Sequence, residues 1–215
     1  MHDPIGGHPT RGEQLDVLVE IVTDLAEPGD LVLDLGCGTG YLEHLLLARR
    51  HDLKLIGVDR KGASLDEGRA RFSERAAFVE GDLGDPEAIR LPFDRARFVV
   101  SALTFHDLAD DCKRAVLAWA RDRLTPDGMI LLYDRIRLIE PALFPAQRAI
   151  WRRIERVHGA AMRSADSFAA YESDLSETNR PARLDDYRTW FEALGMASQV
   201  LHLHGNVALI GAAPR

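Results

Sequence analysis

Between Leu31 and Gly40 the chain reads Leu-Val-Leu-Asp-Leu-Gly-Cys-Gly-Thr-Gly, the stretch that most restricts its fold. The apolar run Leu31–Leu35, preceded by Pro28-Gly29, predicts a strand buried on both faces, as in a parallel sheet. Glycines at 36, 38 and 40 then require the backbone to turn sharply and to lie close to whatever it faces. A helix over about 40–50 follows. Strand, glycine turn and helix form the opening unit of an open α/β sheet, whose ligands bind beyond the carboxyl ends of the strands.

The same alternation continues along the chain. Before it, Glu13–Ala26 carries Leu15, Leu18, Val19, Val22 and Leu25 on one helical stripe. After it come a strand at Leu53–Val58, a helix at about 62–74 and strands at Ala77–Glu80 and Arg97–Ser101. A helix over Asp110–Leu124 is stopped by Pro126-Asp127-Gly128, and Met129–Tyr133 is a fifth strand. The rhythm then breaks. Pro141–Gly159 reads as helix, the stretch to Pro181 is mixed and polar, and a helix follows at about 183–194. Ser198–Leu203 and Val207–Gly211 flank His204-Gly205-Asn206 as a hairpin closing one sheet edge. At 215 residues this predicts one domain spanning 1–215, with a lead-in over 1–28 and an insertion over about 140–182.

Composition narrows the classes of function. Hydrophobic residues at 46% supply a core and exclude global disorder. A net charge of −7 opposes the footprint of a protein that neutralises nucleic-acid phosphates. Cys37 and Cys112 are too few for a disulfide framework or a four-cysteine zinc site, so a reducing cytoplasm is the expected location. No apolar stretch approaches the ~18 residues of a membrane span, and no membrane association is expected. His202 and His204 share a strand face but lack a third ligand in register, so no metal is expected.

The glycine spacing discriminates between ligands. A dinucleotide loop needs G-x-G-x-x-G, yet the third position is Tyr41 or Glu43, and no P-loop pattern occurs. Val32–Gly40 instead resembles the first motif of the class I S-adenosylmethionine-dependent methyltransferases. Gly57-Val58-Asp59-Arg60, Glu80-Gly81-Asp82-Leu83, Ser101–Leu108 and Leu124–Met129 resemble the later motifs of that family, in register from about 30 to 134. The resemblance implies a Rossmann-like, doubly wound, mostly parallel seven-stranded sheet with a C-terminal antiparallel hairpin. It implies S-adenosylmethionine as methyl donor and S-adenosylhomocysteine as product. By the same resemblance Asp34, Gly36, Cys37, Gly38 and Gly40 form the cofactor loop, and Asp59 accepts from the ribose hydroxyls beside Arg60. Asp82 and Leu83 meet the adenine, while Ser101 and Ala102 begin the segment around the methionine moiety. The chain is more distantly similar to the carboxy-S-adenosylmethionine synthase group.

Methyl transfer from a sulfonium is an in-line displacement, so the protein chiefly aligns the partners and, where needed, removes a proton. His106 is the candidate base, because imidazole titrates near neutrality and this position faces the methyl group by resemblance. Asp134, ending strand five, is the candidate that orients a substrate donor. Phe105, Trp151 and Tyr171 are candidates to line an acceptor site. No Asn-Pro-Pro-aromatic stretch follows strand four, which with the acidic charge leaves a small-molecule acceptor and makes nucleic acid an unexpected partner. The insertion is read as a helical lid that selects the acceptor or as an arm forming a homodimer. The competing functional reading is a non-catalytic nucleoside-binding module, or an enzyme using a modified S-adenosylmethionine.

Overall fold

A computed structural model describes residues 11–158 and 165–215. The first ten residues of the expected lead-in and Gly159 of the expected helix lie outside them. The strands are β1 (Leu31–Leu35), β2 (Lys54–Asp59), β3 (Ala76–Glu80), β4 (Ala96–Ala102), β5 (Leu124–Arg135), β6 (Met196–His204) and β7 (Val207–Pro214). Around them lie α1 (Arg11–Leu25), α2 (Tyr41–Arg49), α3 (Gly62–Phe72), α4 (Asp110–Asp122), α5 (Phe144–His158), α6 (Phe168–Ser173) and α7 (Leu184–Ala193).

The sheet order is β3-β2-β1-β4-β5-β7-β6. β1 to β5 pair in parallel, and β7 runs antiparallel to both of its neighbours. From β1 the chain winds outward through β2 and β3, then returns to the other side of β1 for β4. That reversal opens a crevice beyond the carboxyl ends of β1 and β4, where such sheets bind ligands. The fold is the Rossmann-like one that the sequence motifs imply.

Period-two alternation supplies both faces. Leu33 and Leu35 of β1 join one buried cluster with Val116, Leu117 and Trp119 of α4 and Tyr187 and Phe191 of α7. Val32 faces the other cluster, with Leu15, Leu18 and Val22 of α1 and Leu42 and Leu46 of α2. Each fully buried leucine contributes about 1.5–3 kcal/mol, and covering both faces explains why the strands read as continuous apolar runs.

Two elements differ from the sequence reading. β5 begins at Leu124, before Pro126-Asp127-Gly128, because Ala96 already pairs with Leu124 and the proline turn is taken up as an irregularity before Phe98 meets Met129. Asp127 then pairs with Arg97 at 3.3 Å. The polar stretch after α5 contains the short α6, whose Ser167 caps the Ala170 N–H. The insertion has its own apolar cluster of Phe144, Trp151, Ile154 and Tyr171. Trp151 Nε1 donates to Asn206 Oδ1 at 3.3 Å, so the insertion is fastened to the turn of the C-terminal hairpin.

Candidate active site

The chain leaving β1 turns with Gly36 at φ +82° and Gly38 at φ +56°, a region that side chains disfavour. The N–H groups of Gly36 and Cys37 both donate to Val58 O, at 2.7 and 3.1 Å, which holds the loop against β2. A Cβ on Gly36 would lie 2.1 Å from Thr104 Oγ1, so glycine lets this loop abut the segment after β4. A Cβ on Gly38 would meet nothing within 4 Å, because this glycine faces an open cleft.

The cleft holds about 400 Å³ and takes its walls from Arg11, segments 36–41, 59–61, 81–83 and 102–108, and Arg135. Asp59 stands at the end of β2, where Oδ2 accepts from Gly38 N and Oδ1 from Lys61 N, both at 2.9 Å. Each oxygen keeps a second lone pair for an acceptor role toward a ligand. Asp82 Oδ1 accepts from Gly84 N at 2.8 Å, fixing the loop after β3.

On the opposite wall, Leu103 adopts φ +57°, a strained conformation for a branched side chain. Its N–H donates to Tyr133 O at 2.8 Å, which holds the reversal in place. A short 3-10 turn, Phe105–Asp107, follows. Phe105 is buried in the core and anchors that turn, while His106 reaches the cleft. Asp134, buried at the end of β5, receives His106: Nδ1 lies 2.6 Å from Oδ1, and the His106 N–H donates to Oδ2 at 2.6 Å. Arg135 N also donates to Oδ1 at 2.7 Å. A carboxylate oxygen opposite Nδ1 places the proton there in the neutral imidazole, leaving Nε2 as the acceptor nitrogen. Asp107 Oδ1 stands 3.4 Å from that Nε2.

The structure brings Gly36, Gly38, Asp59, Arg60, Asp82, Leu83, Ala102 and His106 together around one cleft. It does not bring the other candidates to its walls. Ser101 is buried and donates to Leu35 O at 2.7 Å, tying β4 to β1. Gly40 lies against Phe72 and Phe78. Phe105 sits in the sheet core, and Trp151 and Tyr171 sit in the insertion's own cluster. Tyr171 spends its hydroxyl on Leu138 N at 3.0 Å. These aromatic residues are buried because each fills an apolar cluster, and helical spacing cannot distinguish that role from lining a site.

Asp34 and Cys37 lie behind the loop with Glu43, a buried acid that sequence reasoning missed. Burial, reinforced by Glu43 and Asp59, holds the Asp34 carboxyl well above its ordinary range. Burial pushes Glu43 up to about 7. Burial and then Glu43 raise the Cys37 thiol, which makes it unreactive as a nucleophile. Gly57, inside β2, makes the room: a Cβ there would lie 2.6 Å from both Cys37 Sγ and Glu43 Oε1. His202 and His204 are half-buried, and the His158 ring packs on His204. Among the described residues no group of three or more His, Cys, Asp or Glu is arranged to hold a metal.

The reversal of strand order, the glycine loop and the carboxylate at the end of β2 define an open α/β protein with a cleft at the carboxyl ends of its strands. A family model described as a methyltransferase domain matches residues 32–128. The carboxy-S-adenosyl-L-methionine synthase of Pseudomonas putida is 25% identical over 213 residues, covering 91% of this chain and 84% of the relative. The YcgJ protein of Bacillus subtilis superposes with a TM-score of 0.65 at 16% identity, over 95% of this chain and 99% of that one. Human N-acetylserotonin methyltransferase, solved in complex with S-adenosylmethionine, gives 0.63 at 17% identity, over 95% of this chain and 52% of that one. The match over residues 32–128 supports a methyltransferase domain there, and the solved structures share the fold of the chain. No described helix is long and apolar enough to cross a membrane.

Proposed function

We propose that the chain transfers a methyl group from S-adenosylmethionine to a small-molecule acceptor, with His106 as general base. The observation that carries this reading is His106, on the wall of the cleft that the glycine loop opens, with its Nδ1 2.6 Å from the buried Asp134 carboxylate. The residues present fit the cofactor: Gly38 leaves space where any side chain would intrude, and Asp59 has lone pairs facing the same space. Gly36, Gly38 and Asp59 would hold its amino-acid and ribose parts, Arg60, Asp82 and Leu83 its adenine, and Ala102 the wall beside the methionine moiety. Asp34, Cys37, Gly40 and Ser101 would support that cradle from behind. The cofactor supplies a methyl group activated by its own sulfonium charge.

The protein's part is alignment and proton removal. Asp134 fixes the imidazole so that Nε2 accepts a proton from the acceptor's nucleophile, and it stabilises the imidazolium that results. Such a base contributes typically 10²–10⁴-fold. Arg135 and Leu108, also on the walls, would border the acceptor. A second reading, use of a modified S-adenosylmethionine, is favoured by the curated relatives named carboxy-S-adenosyl-L-methionine synthase. Incubation of a metabolite extract with radiolabelled S-adenosylmethionine or with a carboxylated S-adenosylmethionine, followed by mass analysis of the acceptor, separates the two. A methylated acceptor formed from S-adenosylmethionine supports methyl transfer, whereas an acceptor modified only when a carboxylated S-adenosylmethionine is supplied supports the second reading. Absence of any turnover leaves a binding module.

A further inference from the structure

Lys113 begins the second turn of α4, where its sequence neighbours suggest a solvated cation, yet its side chain is 0% exposed. Burying a flexible charged side chain is unfavourable unless its hydrogen bonds are met inside the protein. They are met here. Nζ donates to Leu108 O at 2.7 Å, to Arg180 O at 2.7 Å and to Asp110 Oδ1 at 2.8 Å, which uses all three ammonium protons. Two of those acceptors belong to segments far apart in the chain. Leu108 ends the turn that carries His106, and Arg180 lies in the exit of the inserted segment. The same exit donates Arg180 N–H to His106 O at 2.5 Å, and two residues later Ala182 O accepts from Arg137 N at 3.0 Å. The insertion thus returns to the fold as a strap between the His106 turn and the chain leaving β5, with Lys113 beneath it.

We propose that Lys113 is a positioning residue, whose buried ammonium fastens the insertion's exit to the His106 turn and thereby sets the alignment of the His106–Asp134 pair. This inference rests on the reading of His106 as the base, and it gives the insertion, whose described residues add no wall to the cleft, a route to act on His106. Without the ammonium, the carbonyls of Leu108 and Arg180 lose a charged donor. The strap is then held to the turn by the Arg180 N–H to His106 O bond without the ammonium beneath it, and water reaches the imidazole more readily from the side that the strap covers. An apolar residue of similar length would fill the space but could not hold the two carbonyls together.

The test uses the full-length protein labelled with ¹⁵N-histidine, alone and with S-adenosylhomocysteine. The His106 Nδ1 proton, shielded by its bond to Asp134, is assigned by its loss in His106→Asn, and its exchange with water is measured. Lys113→Met should accelerate that exchange about tenfold or more, the scale of one charged hydrogen bond. S-adenosylhomocysteine affinity should stay within about threefold, well under one decade. Asp110→Asn, at an exposed carboxylate, should act in the same direction to a smaller extent, and it carries the test alone if Lys113→Met does not fold. Unchanged exchange in the folded variants overturns the proposal. Failure of the unaltered protein to bind S-adenosylhomocysteine would instead sink the methyltransferase reading, while the exchange comparison would still decide the role of Lys113.

Discussion

Glu43 carries the sharpest quantitative consequence of this structure. Its carboxyl group is fully buried beside Asp34 and Cys37 behind the glycine loop. Desolvation raises it from 4.5 to about 7, which at 1.36 kcal/mol per pH unit corresponds to about 3 kcal/mol. The folded state therefore binds a proton more tightly than the unfolded chain between about 4.5 and about 7. Stability is fully present below that window and falls as pH rises through it. Glu43→Gln keeps the shape and removes the titration, so it should stabilise the protein at pH 8 relative to pH 5, by about 3 kcal/mol between the two. For a chain of this size that difference is about 6–12 °C in melting temperature. The neutral amide's own unmet hydrogen bonds cost the same at both pH values, which makes the pH difference the diagnostic quantity. Asp34, raised for the same reason, should be relieved in the variant and add to the gain in the same direction. Urea unfolding at both pH values measures it, and an equal effect at pH 5 and pH 8 would refute a buried, titrating Glu43.

Asp59→Ala should weaken S-adenosylhomocysteine binding roughly ten- to a thousandfold by calorimetry, since it removes ribose acceptors worth about 1.5–3 kcal/mol each. It should also loosen the glycine loop through loss of the Gly38 and Lys61 bonds. Asp134→Asn should lower the methyl-transfer rate about 10²–10⁴-fold while leaving S-adenosylhomocysteine affinity nearly unchanged, as rate and calorimetric measurements together would establish. Gly36→Ala, with φ +82° and a Cβ only 2.1 Å from Thr104 Oγ1, should lower stability by about 2 kcal/mol or more; Thr104→Gly should recover part of it in thermal unfolding. Replacing residues 141–178 by a short Gly-Ser linker should preserve S-adenosylhomocysteine binding and abolish methyl transfer, and an unchanged rate would make the insertion an arm for another copy rather than a determinant of acceptor choice.

What the sequence disclosed was local. Leu31–Leu35 followed by alternating glycines announces a strand and tight turn because each residue's preference agrees with its neighbours, and β1 has those bounds. The spacing to Asp59 and Asp82 likewise brought both carboxylates to the cleft, since each follows its own strand end. Pairings set by distant chain segments stayed hidden. His106 and Asp134 are 28 positions apart, and they meet because Ala102 opposes Tyr133 in the β4–β5 register. Glu43 looks like an ordinary helix acid until Gly57, on another strand, leaves a space for its carboxyl. Trp151 was visible as a member of a helix and Tyr171 as an aromatic residue of a mixed, polar stretch, but only packing decides which cluster each fills.

One geometric fact joins the glycine-loop side of the cleft to its His106 side. Gly36 and Thr104 approach so closely that no side chain fits between the loop after β1 and the turn after β4. Beyond Thr104, the reversed backbone at Leu103 is held by Tyr133 O, one residue before Asp134. The glycine loop, the His106 turn and the end of β5 therefore form one continuous wall, anchored on three adjacent strands, β1, β4 and β5. Catalysis by alignment demands such rigidity, because a misplacement of about 1 Å can cost 10²-fold in rate. The strain stored at Leu103 is consistent with that demand: an unstrained residue there would let His106 leave the line between its carboxylate and the cleft. Among the described residues the exit of the insertion joins this wall at two points: Arg180 N–H donates to His106 O at 2.5 Å, and Asn179 Oδ1 accepts from Arg135 Nη1 at 3.4 Å.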